Sequence, residues 1–252
     1  MRDSDVRGAP LREVREVRMV ARVDRAERPT TVGRDQPGPR TDSTMRSFDD
    51  LFAGQRVMAI LRGLPVDETL AIAAELWDDG ITALEVPIGR PEQVATLEAA
   101  ARAGAERGLA VGAGTVITRE QVDAAVRAGA AYTVAPGLDL DVRAASEAAG
   151  LPHLPGIATG TELQRAHVAG CHWVKCFPAV ALGAAWFDAI RGPFPDTQLV
   201  ATGGVTVELA PDLLSAGARV VGLGAALGDP EQRRRLRSGL RVSERAAAAL
   251  AG

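Results

Sequence analysis

From Phe48 onward the chain alternates between two rhythms of apolar and polar positions. Short runs of β-branched or small apolar residues end in Gly, Pro or Thr; an acidic or capping residue then opens a segment with apolar positions three or four apart, and Gly closes it. Short apolar runs suit strands buried on both faces, and the longer segments suit helices with one apolar face. The runs span 57–61, 82–87, 110–115, 132–135, 152–155, 173–177, 199–201 and 220–223; the helical segments span 67–78, 91–107, 119–128, 139–149, 161–169, 184–191, 206–216 and 230–251. Gly80, Gly108, Gly129, Gly150, Gly170 and Gly217 stand at helix ends, where left-handed caps favour glycine. Eight βα units in this order predict an α/β fold, a (β/α)8 TIM barrel forming a single domain over 46–252. A doubly wound open sheet is the competing arrangement and usually needs fewer units.

Residues 1–45 break the pattern. Ten arginines are interleaved there with eight acids, prolines and glycines, without a sustained apolar period. This reads as a solvated, disordered, Arg-rich arm, and Met45 is a candidate start for the folded part. The interspersed acids argue against a targeting segment.

Composition narrows the possibilities further. The 252 residues are 46% hydrophobic but only 4% aromatic, so the core must be built mainly from Ala, Val, Leu and Ile. A net charge of −3 gives no pull towards nucleic acid or anionic membranes, and no apolar run reaches the ~20 residues that span a bilayer. A cytoplasmic protein is expected, with no nucleic-acid or membrane partner. Cys171 and Cys176 are five positions apart and would face opposite sides of a strand, so reduced thiols are expected. His153, His167 and His172 have no metal-ligand spacing; neither a metal nor another cofactor is expected.

In a (β/α)8 barrel the functional groups sit at the carboxyl ends of the strands. Those ends supply Arg62, Glu85 with Pro87, Thr115, Pro136, Gly156 with Thr159, Lys175 with Phe177, Thr202 to Gly204, and Gly222 to Ala225. Lys175 is the only lysine; every other strong base is arginine. Arginine stays protonated, whereas a desolvated lysine can present a neutral amine to a carbonyl, so Lys175 is a Schiff-base candidate. A chance survivor of a Lys-to-Arg drift is the plainer explanation. Glu85 lies in an apolar run, where a carboxylate is costly unless it has partners or a task. It could serve as general acid and base, or merely pair with Arg62 or Arg90. The fork of Arg62 and the hydroxyl of Thr115 suit a ligand carboxylate. Gly203-Gly204 and Gly222-Leu223-Gly224 follow the seventh and eighth runs, where barrels often bind phosphate through backbone amides. Ala225 stands where a hydroxyl would help, leaving more of that contact to the backbone. Together these groups suit a phosphorylated 2-keto acid whose carbonyl forms an imine with Lys175.

The same stretches carry a resemblance. Ala59-Ile60-Leu61-Arg62-Gly63, Leu84-Glu85-Val86-Pro87, Gly112-Ala113-Gly114-Thr115-Val116, Pro155-Gly156-Ile157-Ala158-Thr159, Val174-Lys175-Cys176-Phe177-Pro178, Ala201-Thr202-Gly203-Gly204-Val205 and Gly222-Leu223-Gly224 resemble, in order, the class I 2-keto-3-deoxy-6-phosphogluconate and 6-phosphogalactonate aldolases. The resemblance implies a homotrimer of barrels, a Schiff base on Lys175, Glu85 as proton shuttle, and pyruvate plus glyceraldehyde 3-phosphate as products. Some members also act on 4-hydroxy-2-oxoglutarate. Arg62 and Thr115 match keto-acid contacts, Gly203, Gly204 and Gly224 match the phosphate pocket, and Phe177 packs beside the imine. Gly89 holds a position where gluconate-type members often carry Arg, with Arg90 next, and Ser is common where this chain has Ala225. The Arg62 and Glu85 stretches lean to the galactonate type; Gly192-Pro193-Phe194 and Thr202-Gly203-Gly204 lean to the gluconate type. An isomerase or epimerase barrel would share the phosphate turns and Glu85 without needing Lys175, and a non-catalytic phosphosugar-binding barrel would need neither residue.

Overall fold

A computed structural model describes residues 47–236 and Ser238. The arm expected over 1–45, the proposed start at Met45 and the distal part of the helix expected over 230–251 lie outside the described residues; residues 230–236 are helical. The parallel strands are β1 (Val57–Ile60), β2 (Leu84–Pro87), β3 (Val111–Gly114), β4 (Tyr132–Val134), β5 (His153–Leu154), β6 (Gly156–Ile157), β7 (Trp173–Cys176), β8 (Gln198–Thr202) and β9 (Val220–Leu223). Their order, β5-β4-β3-β2-β1-β9-β8-β7-β6, makes a nearly closed barrel, with β1 joined to both β2 and β9.

The sheet begins and ends on either side of one residue, Pro155. Of the fifth expected strand, 152–155, only β5 forms, paired with β4; a further strand, β6, begins just past Pro155 and pairs with β7. Proline has no N–H for a ladder, so the stave breaks there. The Pro155 carbonyl accepts from the Lys175 backbone N–H at 2.8 Å, and the Gly156 N–H donates to the Gly137 carbonyl at 3.0 Å, tying the two halves together.

The helices are α1 (Phe48–Leu51), α2 (Val66–Asp78), α3 (Gln93–Glu106), α4 (Arg119–Arg127), α5 (Leu140–Ala148), α6 (Gly160–Val168), α7 (Ala179–Leu182), α8 (Ala184–Arg191) and α9 (Ala210–Ser215), followed by a 3-10 turn at Ala225–Gly228. The segment expected to be helical over 206–216 becomes α-helical only at Ala210. Side chains start several helices as the sequence implies. Thr118 caps α4, Asp139 caps α5, and Thr159 forms a reciprocal capping box with Glu162 at α6. Each such cap is worth about 1 kcal/mol.

Two apolar layers follow from strands buried on both faces. An outer layer packs Ile72, Leu76, Leu97, Leu163 and Phe187 of the helices against the barrel. An inner layer contains Met58, Ile60, Tyr132, Val134, Leu154, Val200 and Val220, packed with Phe48, Phe52 and Trp173. Short helix α1 was not foreseen. Ser47 and Asp50 cap it reciprocally, Phe48 meets Tyr132 edge-on at 5.7 Å, and the Trp173 Nε1–H donates to Asp49 at 2.9 Å. Trp173 opens β7. These contacts therefore anchor α1 at the amino ends of the strands, opposite the ends that carry the candidate chemistry.

Candidate active site

Glu85 projects from β2 and Lys175 from β7, strands that are not neighbours in the sheet, so their contact crosses the barrel interior. Lys175 Nζ lies 3.8 Å from Glu85 Oε1, with Glu85 0% and Lys175 3% exposed. At that separation the groups attract as charges without forming a hydrogen bond. Neither Glu85 oxygen has a hydrogen-bond partner among the described residues. Glu85 therefore pairs with the lysine and not with Arg62 or Arg90, the partners a purely structural glutamate would have had. Phe177 is half-buried beside the amine, its ring centroid 5.6 Å from Nζ.

The space for this carboxylate comes from β3. A Cβ added to Gly114 would stand 1.8 Å from Glu85 Oε1, and one added to Gly112 would stand 2.1 Å from the Tyr132 ring. The alternating glycines of Val111-Gly112-Ala113-Gly114 thus clear the inner face of β3 for Glu85 and Tyr132. Glycines two apart in a strand are the available sign of such close approach, and their purpose was not anticipated. Tyr132, the only tyrosine, donates its O–H to the Leu84 carbonyl at 2.7 Å, securing the peptide just before Glu85. Burial, with a further contribution from the Glu85 charge, raises the pKa of its phenol above the ordinary value. The phenol therefore stays protonated and can keep donating. Burial likewise pushes the Cys176 thiol up. Cys171 and Cys176 are both free.

Arg62 and Thr115 form a second pair, in which the Arg62 guanidinium donates to Thr115 Oγ1 at 3.3 Å. Thr115 adopts φ 59°, a left-handed conformation that is strained for a β-branched residue. Both residues line a cavity of about 680 Å³ with Pro87, Gly89, Arg90 and Gln93. Gly89 gives Thr115 room, since a Cβ there would stand 3.0 Å from the Thr115 methyl. Glu85 and Lys175 are not on this lining. The two pairs are linked through β3, whose Gly114 touches Glu85 and is followed directly by Thr115.

The glycine turns occupy another part of the same mouth. Gly203 and Gly204 have φ of 94° and 74°, and the Gly203 carbonyl accepts from Val180 N–H of α7, an element the sequence did not reveal. A Cβ on Gly203 would meet the Phe177 ring at 2.8 Å, so this turn abuts the ring beside Lys175. Thr202 is buried with its methyl against Gly222 and no hydrogen-bond partner for its hydroxyl among the described residues. Gly224 precedes the 3-10 turn that Ala225 begins, and Ala225 is exposed. Pro136 packs its backbone against Gly156 beside the barrel break. Among the described residues there is no cluster of three or more His, Cys, Asp or Glu suited to a metal, and no helix long and apolar enough to cross a membrane.

Residues 49–236, which include both pairs and both glycine turns, match the family model for KDPG and KHG aldolases. The chain belongs to this family. It is 37% identical over 172 residues to the 2-dehydro-3-deoxy-6-phosphogalactonate aldolase of Escherichia coli, a match covering 68% of this chain and 83% of that one. It is also 34% identical over 170 residues to the 2-dehydro-3-deoxy-phosphogluconate aldolase of Pseudomonas aeruginosa, covering 67% and 76%. Among solved structures it resembles a KDPG aldolase from Legionella pneumophila with pyruvate captured as a covalent carbinolamine intermediate. That structure is 28% identical, with TM-score 0.67, covering 77% of this chain and 95% of the other.

Proposed function

We propose that this chain is a class I aldolase that cleaves a phosphorylated 2-keto-3-deoxy sugar acid into pyruvate and glyceraldehyde 3-phosphate, with Lys175 as the imine-forming amine and Glu85 as the proton shuttle. The observation that carries this reading is the buried contact between Lys175 Nζ and Glu85 Oε1 across the barrel at 3.8 Å. An isomerase has no need of the amine, and a binding barrel would bury beside the lysine, for no return in stability, a carboxylate that has no hydrogen-bond partner among the described residues.

The chemistry follows from that arrangement. Once its proton has passed to Glu85, Lys175 attacks the C2 carbonyl; Glu85 gives the proton back to the carbinolamine hydroxyl, which leaves as water to form an iminium. Glu85 removes the C4 hydroxyl proton, directly or through a water, as the C3–C4 bond breaks. The aldehyde departs, and the bond's electrons move into the iminium to give an enamine. Glu85 then returns that proton to C3, restoring the iminium, and water hydrolyses it to pyruvate and the free lysine. In this reading Arg62 and Thr115 hold the carboxylate of the keto acid, and Phe177 shields the amine from water. The amides around Gly203, Gly204, Gly224 and Ala225, with the Thr202 hydroxyl, receive the phosphate, while Pro136 borders the site. No cofactor is required. The homotrimer implied by the resemblance and the cytoplasmic location expected from the composition belong to the same proposal, and light scattering of the purified protein tests the assembly.

Incubation with pyruvate followed by borohydride reduction and intact-mass measurement tests the mechanism. One reduced pyruvate per chain is expected, and none with Lys175→Ala. The single lysine makes the assignment direct once the terminal amine is controlled for. Glu85→Gln should still trap pyruvate while cleavage slows by about 10²- to 10⁴-fold, the usual contribution of a positioned acid–base group. A folded wild-type protein that traps nothing would defeat the proposal. Assays of the gluconate and galactonate epimers side by side test the substrate.

A further inference from the structure

The strands that carry Glu85 and Arg62 part company just where the candidate carboxylate site begins. The last ladder contact between them is the Leu61 N–H donating to the Glu85 carbonyl at 2.9 Å. Beyond it, β1 runs into Arg62 and Gly63, β2 ends at Pro87, and the 680 Å³ cavity opens between the loops that follow. Gly63 has φ 71°, so the backbone turns immediately after Arg62. The direction in which Arg62 projects depends on what secures that turn.

One side chain spans the gap. Gln93 begins α3, is half-buried and lines the cavity. The Gly63 N–H can only donate and the Pro87 carbonyl can only accept, which fixes the orientation of the amide between them. So turned, Gln93 Oε1 accepts from Gly63 N at 2.7 Å and its NH2 donates to Pro87 O at 3.0 Å. The amide therefore extends the link between β1 and β2 past the end of their ladder. It does so from a helix, which cannot shift without disturbing the packed residues Thr96 and Leu97 one turn further on. A loop arginine with several rotatable bonds binds more strongly when its direction is set before the ligand arrives, because less freedom is lost on binding.

We infer that Gln93 is a positioning residue: its amide fixes the Gly63 turn and holds Arg62 facing Thr115 in readiness for the substrate carboxylate. The inference rests on the proposed role of Arg62. It assigns Gln93 no contact with the reacting atoms, so its effect must act on substrate binding and must pass through Arg62.

The test compares wild type, Gln93→Met, Gln93→Glu, Arg62→Ala and the Gln93→Met/Arg62→Ala double variant. Two quantities are measured: kcat and KM for cleavage of the phosphorylated keto acid, and the pyruvate concentration that half-saturates borohydride trapping. Gln93→Met keeps the length of the side chain and removes both hydrogen bonds. A rise of about tenfold in KM and in the trapping half-saturation is expected, with kcat changed far less, the pattern of lost uniform binding. Gln93→Glu keeps the acceptor for Gly63, loses the donor to Pro87 and sets a competing carboxylate near Arg62; it should weaken binding more. In the Arg62→Ala background, adding Gln93→Met should cost little more, because residues acting through one contact are not additive. Wild-type binding by Gln93→Met while Arg62→Ala is impaired overturns the role of Gln93 alone. An undiminished Gln93→Met effect in the Arg62→Ala background also overturns it, by showing a route that bypasses Arg62. Wild-type binding by Arg62→Ala overturns the carboxylate reading itself and Gln93's role with it.

Discussion

Gly114→Ala asks whether the position of Glu85 is as critical as the proposed chemistry requires. The added methyl would stand 1.8 Å from Glu85 Oε1, 2.5 Å from Cδ and 2.7 Å from Cγ. Ordinary contact begins at 3.4 Å, so the carboxylate must withdraw by about 1.6 Å. Glu85 is fully buried, and rotating it away drives it into the packed inner layer. Overpacking of this kind typically costs about 1–3 kcal/mol of stability, within what a domain of this size can withstand. The effect on catalysis should be larger in proportion. Misplacement by about 1 Å is enough for roughly a hundredfold loss, so kcat for cleavage should fall at least that far, about 2.7 kcal/mol of transition-state stabilisation. Lys175 is untouched by the methyl, and the variant should still yield one borohydride-reducible pyruvate adduct. The assay is therefore paired: steady-state cleavage against trapping, on protein shown by circular dichroism to be folded. Near-wild-type cleavage in folded Gly114→Ala would refute the reasoning, since the shuttle would then work from a position this geometry forbids.

Two further perturbations separate charge from chemistry and stability from function. Lys175→Arg retains a cation for Glu85 but cannot form an imine, so trapping should vanish; Lys175→Met also abolishes trapping and should have the lower Tm, because it leaves a buried carboxylate without a partner. His153 has its pKa lowered to about 4, by burial first and by the Arg143 charge second. Because the unfolded imidazole titrates near 6.5, its contribution is complete above that pH and is lost as pH falls towards 4, about 3 kcal/mol in all. Urea midpoints should drop across that window, and His153→Gln should flatten this part of the dependence; an unchanged profile would count against a neutral buried imidazole.

What could be read from the sequence was what is encoded locally. The barrel followed from short apolar runs closed by glycine caps, and strand-end position followed from the barrel, so Glu85 and Lys175 could be assigned to one mouth. Which partner each would choose could not be read. Glu85 had Arg62, Arg90 and Lys175 as candidate cations, and only the closed barrel sets β2 across from β7. The break at Pro155 was also obscured: 152–155 reads as one short strand, and the proline shows as a break only when β4 and β7 are seen pairing on either side of it. Helix α1 is one turn long, too short for a periodic pattern, and depends on Phe48 and Phe52 reaching the inner layer. The left-handed Thr115 runs against local preference, because a β-branched residue is a poor guess for that conformation.

Several exceptions to local preference gather at the carboxyl ends of the strands, although His153 and Thr197 at the amino ends also bury a polar atom without a partner among the described residues. Around α1, local and long-range demands agree: a reciprocal cap, stacked aromatics and a Trp173 to Asp49 hydrogen bond all favour one arrangement. At the opposite end stand a carboxylate and a buried Thr202 hydroxyl that have no hydrogen-bond partner among the described residues, a threonine at φ 59° and a glycine, Gly114, that leaves room for Glu85. Their position around the only lysine, in a chain that uses arginine everywhere else, is what the proposed use of residue 175 for its amine, rather than for its charge, requires.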